Sequence, residues 1–319
     1  EGGHLGREEI DIIEPTLAQY TLLGDVTTQT DGLDYDPTLK PGTRTATASS
    51  IADDRWVFTE DNPDRELRTA GGLAAAARVL RTARPAMAAE ALAAAVDLHA
   101  RAIDRASDVG AKVFALSELA RSTDDAAYVA RLVAMKQEIV AHIDKAGPAL
   151  AVALPLIKDA QFLREVDAAV AAHQAKLAED ATRTPYGVPY VPYIWGAGWD
   201  IQKFGVDQYF FRKAWPQHTP DTLQMEALNF VLGVHPGNNT ESFASGVGAQ
   251  SATVAYGTNR VDWGYIPGGV ISGTALIRPD LPELKVWPYF WQQREYVIGG
   301  GAENFMFLAL AAAQRERNR

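Results

Sequence analysis

The chain of 319 residues contains no cysteine. That absence excludes a thiolate nucleophile, a Cys-ligated metal and any disulfide framework. Nor does any apolar run reach the roughly 18 residues that a transmembrane helix needs. The opening residues Glu1-Gly2-Gly3-His4 supply neither a basic stretch nor an apolar one, so no signal peptide is visible there. No Met stands at the front, and Glu1 reads as the start of a trimmed or processed chain. Positive charge is also scarce: 30 Lys and Arg against 40 Asp and Glu leave a net charge of −10. The only basic concentration is the tail 315–319, which reads as solvated. Such a surface repels phosphate backbones, so nucleic acid is not an expected partner. The six His residues show no ligand spacing, such as a pair four apart on a helix, and no metal site is expected from them.

What is present describes a globular protein, 47% hydrophobic and 22% charged, large enough to close a core without staples. It reads as a single domain, 1–319, in three zones. Residues 1–68 are loop-rich, with Leu39-Lys40-Pro41-Gly42 and Asp61-Asn62-Pro63-Asp64 as turn signals and one helical patch, Glu8 to Leu23. Residues 69–180 are rich in Ala and helical. Residues 183–319 are rich in aromatics, Gly and Pro, and close on an apolar helix from Ala302 to Gln314.

Periodicity is clearest in the middle zone. Tyr128, Leu132, Met135, Ile139 and Ile143 share one face of a helix. Ser122 or Thr123 is its expected cap, Asp124 and Asp125 suit its first turn, and Gly147-Pro148 its end. Leu92, Val96, His99 and Ile103 form a second stripe; Leu163, Val166, Val170, His173 and Leu177 form a third. Both histidines read first as hydrogen-bonded core residues. Successive helices with short connections form antiparallel hairpins, so the fold class is mainly α.

The last zone concentrates rings beside Gly and Pro, as in Tyr193-Ile194-Trp195-Gly196-Ala197-Gly198-Trp199. These segments read as loops, and loops on a rigid scaffold carry function disproportionately. Flat apolar rings with polar edges suit a pyranose, whose faces are largely C–H and whose hydroxyls need hydrogen bonds. The plainer reading is that the rings fill the core beneath the loops; taken as a cluster, they favour a groove.

Six segments in order carry a family resemblance: Ile51-Ala52-Asp53-Asp54-Arg55, Thr184-Pro185-Tyr186-Gly187-Val188-Pro189, Asn229 to Asn238, Ser242-Phe243-Ala244-Ser245-Gly246-Val247-Gly248, Arg260 with Pro267 to Gly273, and Trp291-Gln292-Gln293-Arg294-Glu295. Together they resemble glycoside hydrolase family 9, in a bacterial branch, densely from Thr184 onward. The resemblance implies an (α/α)6 toroid that hydrolyses β-1,4-glucan with inversion. It gives Glu295 as general acid and Arg260 as a substrate contact, with Trp195, Trp199, Tyr256, Trp263, Tyr265 and Trp291 around the groove. Two carboxyls serve such chemistry, one protonating the leaving oxygen and one activating water. The family's Asp-Ala-Gly/Ser-Asp segment, which holds the base, does not occur in this sequence, and Asp53-Asp54 matches a later loop. The base, and the toroid's first helices, are therefore expected from a segment upstream of Glu1. Thr258-Asn259 replaces the His pair usual before the Arg, and Gly301 replaces an Asn beyond the acid.

The expected partners are a β-glucan and that upstream segment. No cofactor is expected; a structural calcium, common in the relatives, is the one ion the resemblance allows, although no Asp-rich loop has the spacing. A glucan substrate places the protein outside the cell, secreted or periplasmic. Alternatives are a non-catalytic glycan-binding or scaffold subunit and a hydrolase of another β-glycan. Asn238-Asn239-Thr240 is a glycosylation sequon.

Overall fold

The computed structural model describes residues 33–51, 61–183, 187–189, 197–234, 241–248, 250–251, 254–255, 268–270, 295–296 and 302–317. They divide between two compact units, with the boundary between Asn62 and Pro63. In the first unit, β1 (Asp34–Tyr35) pairs in parallel with β2 (Ala48–Ser49). The Asp36 carboxylate closes the intervening turn by accepting the Thr38 N–H at 2.8 Å and its hydroxyl at 2.6 Å. The expected helix Glu8–Leu23 lies outside the described residues.

The second unit is helical. Its helices are α1 (Pro63–Leu80), α2 (Pro85–Ala102), α3 (Val109–Thr123), α4 (Ala126–Ala134), α5 (Lys136–Ala141), α6 (Ile143–Leu150), α7 (Ala160–Ala181), α8 (Ala197–Ala214), α9 (Thr222–Val231) and α10 (Ala302–Arg317). Alternate members pack in series, α1 on α3, α3 on α6, α6 on α8 and α8 on α10, and these form an inner layer. Outside it, α2 covers α1, α4 covers α3, α7 lies on α5 and α6, and α9 covers α8. Short links such as 81–84 and 124–125 make neighbours antiparallel, so the inner helices run the same way. The first residues of the inner helices therefore lie at one end.

Local chemistry sets these boundaries. Proline opens α1 and α2, where a missing N–H costs nothing, and Asp64 and Glu66 oppose the dipole of α1. Asp108 caps α3 by accepting the Ala111 N–H at 2.9 Å, and Asp159 caps α7 through Phe162 at 2.7 Å. Helix α3 is the centre of the unit, burying Val109, Val113, Leu116 and Leu119 on more than one face. It also buries Glu118, whose carboxylate is met by Arg78 at 2.6 Å and Arg121 at 3.5 Å. Phe114 lies so close over Gly71 of α1 that a Cβ there would stand 2.5 Å from its ring.

Three helical expectations are corrected. The stripe from Tyr128 to Ile143 is not one helix: the backbone breaks at Met135 and at His142, giving α4, α5 and α6. Leu132, Met135, Ile139 and Ile143 are all buried nonetheless, because the bends carry the chain from the outer to the inner layer, which one straight helix cannot do. Asp125 is the cap, Asp124 is the left-handed residue that ends α3 at φ 59°, and Pro148 sits inside α6. In α2 the buried face is Ala88, Ala95 and Ala102, which allows close approach to α1; of the expected stripe, Ile103 is buried and Leu92 packs against Ala95 and Leu119, while Val96 is 38% exposed. Finally, α10 continues to Arg317, and Arg315 is not solvated tail but donates to the Asp221 carboxylate at 2.5 Å.

The histidines are core residues by ring contact. His99 meets Tyr128 edge-on at 5.2 Å, and its Nε2 has no hydrogen-bond partner among the described residues, contrary to the expected hydrogen bond. His173 lies 5.3 Å from the ring of Phe211. Burial pushes both imidazoles below the usual pKa of 6.5.

Candidate functional site

Among the described residues, three of the resemblance-bearing segments are joined by backbone, those around Val231, Ser242–Gly248 and Gly269. At the C-terminal end of α9, Phe243 donates its N–H to Val231 at 2.7 Å, and its ring stacks on Phe230 with centroids 5.9 Å apart. The Ser242 hydroxyl reaches the Ala244 carbonyl at 2.6 Å and accepts the Ala244 N–H at 3.1 Å. Ser245 and Gly269 bond reciprocally: the Ser245 N–H donates to the Gly269 carbonyl at 2.9 Å, and the Gly269 N–H donates to the Ser245 hydroxyl at 2.9 Å. Ala244 bridges Val270 in antiparallel fashion. Gly248, at φ +77°, faces the Leu232 carbonyl so closely that no Cβ fits. The two serines therefore serve the backbone, and the segment Ser242–Gly248 is a wall rather than a set of ligand contacts.

Further pairings place the acid candidate. The strand β3 (Glu241–Ser242) runs parallel to β4 (Gln250–Ser251), and β5 (Val254–Ala255) runs parallel to β6 (Glu295–Tyr296). Glu295 thus has its backbone opposite Val254, shortly before inner helix α10. The side chain of Glu295 lies outside the described residues, as do Trp195, Tyr256, Arg260, Trp263, Tyr265, Trp291 and the pair Asp53-Asp54. Trp199 is described, and it corrects the loop reading: it is half-buried in the first turn of α8. Its helix carries further rings of the aromatic zone into the core, with Phe211 and Trp215 buried. For these the plainer reading holds.

The inner layer also holds a cleft that the sequence did not announce. It has a volume of about 580 Å³ and is lined from α1, α3, α6 and α8. Arg68 pairs with Asp108 at 2.5 Å on one side, and Lys203 pairs with Asp207 at 2.5 Å on another. Burial raises the Asp207 carboxyl above the usual carboxylate range, although Lys203 acts in the opposite sense. The one signal in the sequence was the Lys203–Asp207 spacing of four on a helix, which by itself reads as a surface pair.

Comparison with solved structures identifies the fold. The chain matches a metagenome-derived glycoside hydrolase family 9 endoglucanase with a TM-score of 0.60 and 18% identity, covering 81% of this chain and 53% of that one. It matches the endoglucanase of the termite Nasutitermes takasagoensis with a TM-score of 0.54 and 18% identity, over 78% of this chain and 66% of that one. A single-mutant thermostable endoglucanase from Alicyclobacillus acidocaldarius gives 0.54 and 16% identity, over 67% and 46%. No family model and no curated protein matches the chain. The fold is that of the family 9 toroid, and the chain spans between 46% and 66% of the length of these solved structures.

Proposed function

We propose that the chain is part of an inverting glycoside hydrolase acting on β-1,4-glucan of the cellulose type. The observation that carries the reading is the position of Trp291 to Glu295, an aromatic-x-x-x-Glu sequence set directly before an inner helix of a fold shared with endoglucanases. In this reading Glu295 gives its proton to the leaving oxygen as the glycosidic C–O bond breaks. Water attacks the anomeric carbon from the opposite face and loses its proton to an Asp supplied from upstream of Glu1, with the two carboxyls about 6.5–9.5 Å apart. Trp195, Trp199, Tyr256, Trp263, Tyr265 and Trp291 stack on sugar faces, and the five donors of Arg260 orient hydroxyls. Export follows from the substrate, which is polymeric and extracellular, so the reading is a secreted or periplasmic enzyme.

A second reading is a glycan-binding subunit without turnover, favoured by Thr258-Asn259 and Gly301 standing where the family has a His pair and an Asn. Hydrolysis of a soluble β-glucan by the protein together with its upstream segment, as wild type and Glu295→Gln, decides between them. The enzyme reading expects a loss of about 10²- to 10⁴-fold, the usual contribution of a positioned general acid, with a substrate of very good leaving group affected less. A loss below about tenfold removes Glu295 from the acid role. Glucan binding with no hydrolysis by either protein selects the second reading.

A further inference from the structure

We propose that Glu226 of α9 is a pH-sensitive latch on the segment 187–189. The proposal does not depend on the glucan reading or on Glu295. Gly187 sits at φ 71°, in the left-handed region that a residue with a side chain rarely adopts. The space left by its missing side chain is filled by Glu226. Both carboxyl oxygens stand against the position a Cβ would take, the farther of them at 3.0 Å. The carboxyl therefore packs directly on the backbone at Gly187. Next to it Val188 is buried at 2% exposure, and the chain goes on to enter α8 at Ala197.

Among the described residues, nothing compensates a charge at that place. Glu226 is the only charged side chain of α9. The helices α8 and α10 pack against α9, but Lys203 is paired with Asp207, and Arg212 and Arg315 are turned to Asp221. Asp200 and Lys213 of α8, and Glu303, Glu316 and Arg317 of α10, do not bear on Glu226 either. Burial alone raises its carboxyl above the ordinary 4.5.

A neutral carboxyl can stay against the segment, whereas an ionised one needs water or a cation. Gly187, Val188 and Pro189 carry no charge to offer it. Ionisation therefore drives the side chain toward solvent, and the contact with Gly187 is what must give way. The sign follows from linkage. A carboxyl whose folded pKa is raised contributes fully below 4.5, and that contribution is lost as pH rises through the folded value. The latch is thus closed in acid and opens as pH rises. His99 and His173 act in the opposite direction, since their contribution is lost as pH falls, so the two effects separate.

The chain has no cysteine, so a single introduced thiol reports on the segment alone. The test follows the reaction of Val188→Cys with a dipyridyl disulfide from pH 4.5 to about pH 8, a range that buried carboxyls reach. Each rate is divided by that of the same protein in urea, which cancels the thiol's own titration. The ratio should rise about tenfold across the range, the scale of burying one carboxyl. In the Val188→Cys background, Glu226→Gln should hold it at its acid value, because an amide does not ionise. Gly187→Ala should make it high at every pH, because the new Cβ expels the carboxyl. Ser117→Cys, in the core of α3, should stay slow throughout. The proposal is overturned by no rise, by an equal rise with Glu226→Gln or at Ser117→Cys, or by slow reaction of Gly187→Ala in acid. A second measurement needs no thiol, and so survives if Val188→Cys opens the segment by itself. Urea midpoints of Glu226→Gln should gain on those of the wild type as pH rises, and a gap that does not widen also overturns the latch. Neither Glu226 nor Gly187 enters the hydrolase reading, which stands or falls separately.

Discussion

Helix α3 and the segment Ser242–Ser245 are both buried, but they are held in place by different means. The helix buries Val113, Leu116 and Leu119 among neighbours from α1, α4 and α6, and its backbone polar groups are satisfied within itself or by the Asp108 cap. The segment has one large apolar anchor, Phe243, and relies on two serine hydroxyls to satisfy the backbone. Burial in the first is cooperative, because each side chain touches several others. In the second it hangs on single hydrogen bonds, each worth only about 0.5–1.5 kcal/mol net. The contrast separates a cooperative scaffold from a wall whose order rests on local bonds.

Removing a core ring should break the scaffold side most severely. Phe211 is 1% exposed and lies against Trp215 and His173, so Phe211→Ala should cost about 3–5 kcal/mol of global stability in urea unfolding. A cost under about 1 kcal/mol would mean that the helical layer is not one cooperative body.

Ser242→Ala probes the wall. It leaves the Ala244 N–H unpaired in a buried place, at about 1–3 kcal/mol. Hydrogen exchange should accelerate around 242–248 with α3 protected as before, since local and global opening are distinct. Equal acceleration in α3 would erase the distinction.

The smallest effect is a pH dependence of the helical side. His99 and His173 have pKa values depressed by burial, so the unfolded chain takes up their protons first. Their contribution is intact above the unfolded value of 6.5 and is lost as pH falls from there through the folded values. His99→Phe, which keeps the ring against Tyr128, should flatten part of the stability loss below that pH, measured by urea midpoints at a series of pH values. An unaltered profile would assign the loss to other groups.

How much of this was legible depended on whether the signal was local. Asn62-Pro63, expected as part of a turn, is where α1 begins, while the Ala-rich zone and the final helix from Ala302 follow from composition and periodicity. The breaks at Met135 and His142 do not, because the same apolar spacing serves one helix or three, and only the two-layer packing decides. Trp199 read as loop because Gly196-Ala197-Gly198 precedes it, yet α8 starts there under tertiary packing that overrides propensity. At the site, the Trp291 to Glu295 pattern singled out Glu295, whose backbone pairs with Val254 ahead of α10, but gave no sign of that strand. The cleft was not legible, since its lining comes from four separate helices and the Lys203–Asp207 spacing reads by itself as a surface pair.

The bond from Arg315 to Asp221 has a consequence for how the molecule can vary. Arg212 also lies 3.8 Å from Asp221, so three helices meet at the start of α9. The long excursion between α9 and α10 thus leaves and returns to helices already packed on each other and pinned at a common corner. Closing such an excursion costs entropy that grows only with the logarithm of its length, about 0.6 kcal/mol for each doubling. Changes of length within 232–301, outside the buried segment Ser242–Ser245 and Gly248, are therefore cheap so long as the corner survives, and this part of the chain is free to diversify over a scaffold that need not change with it.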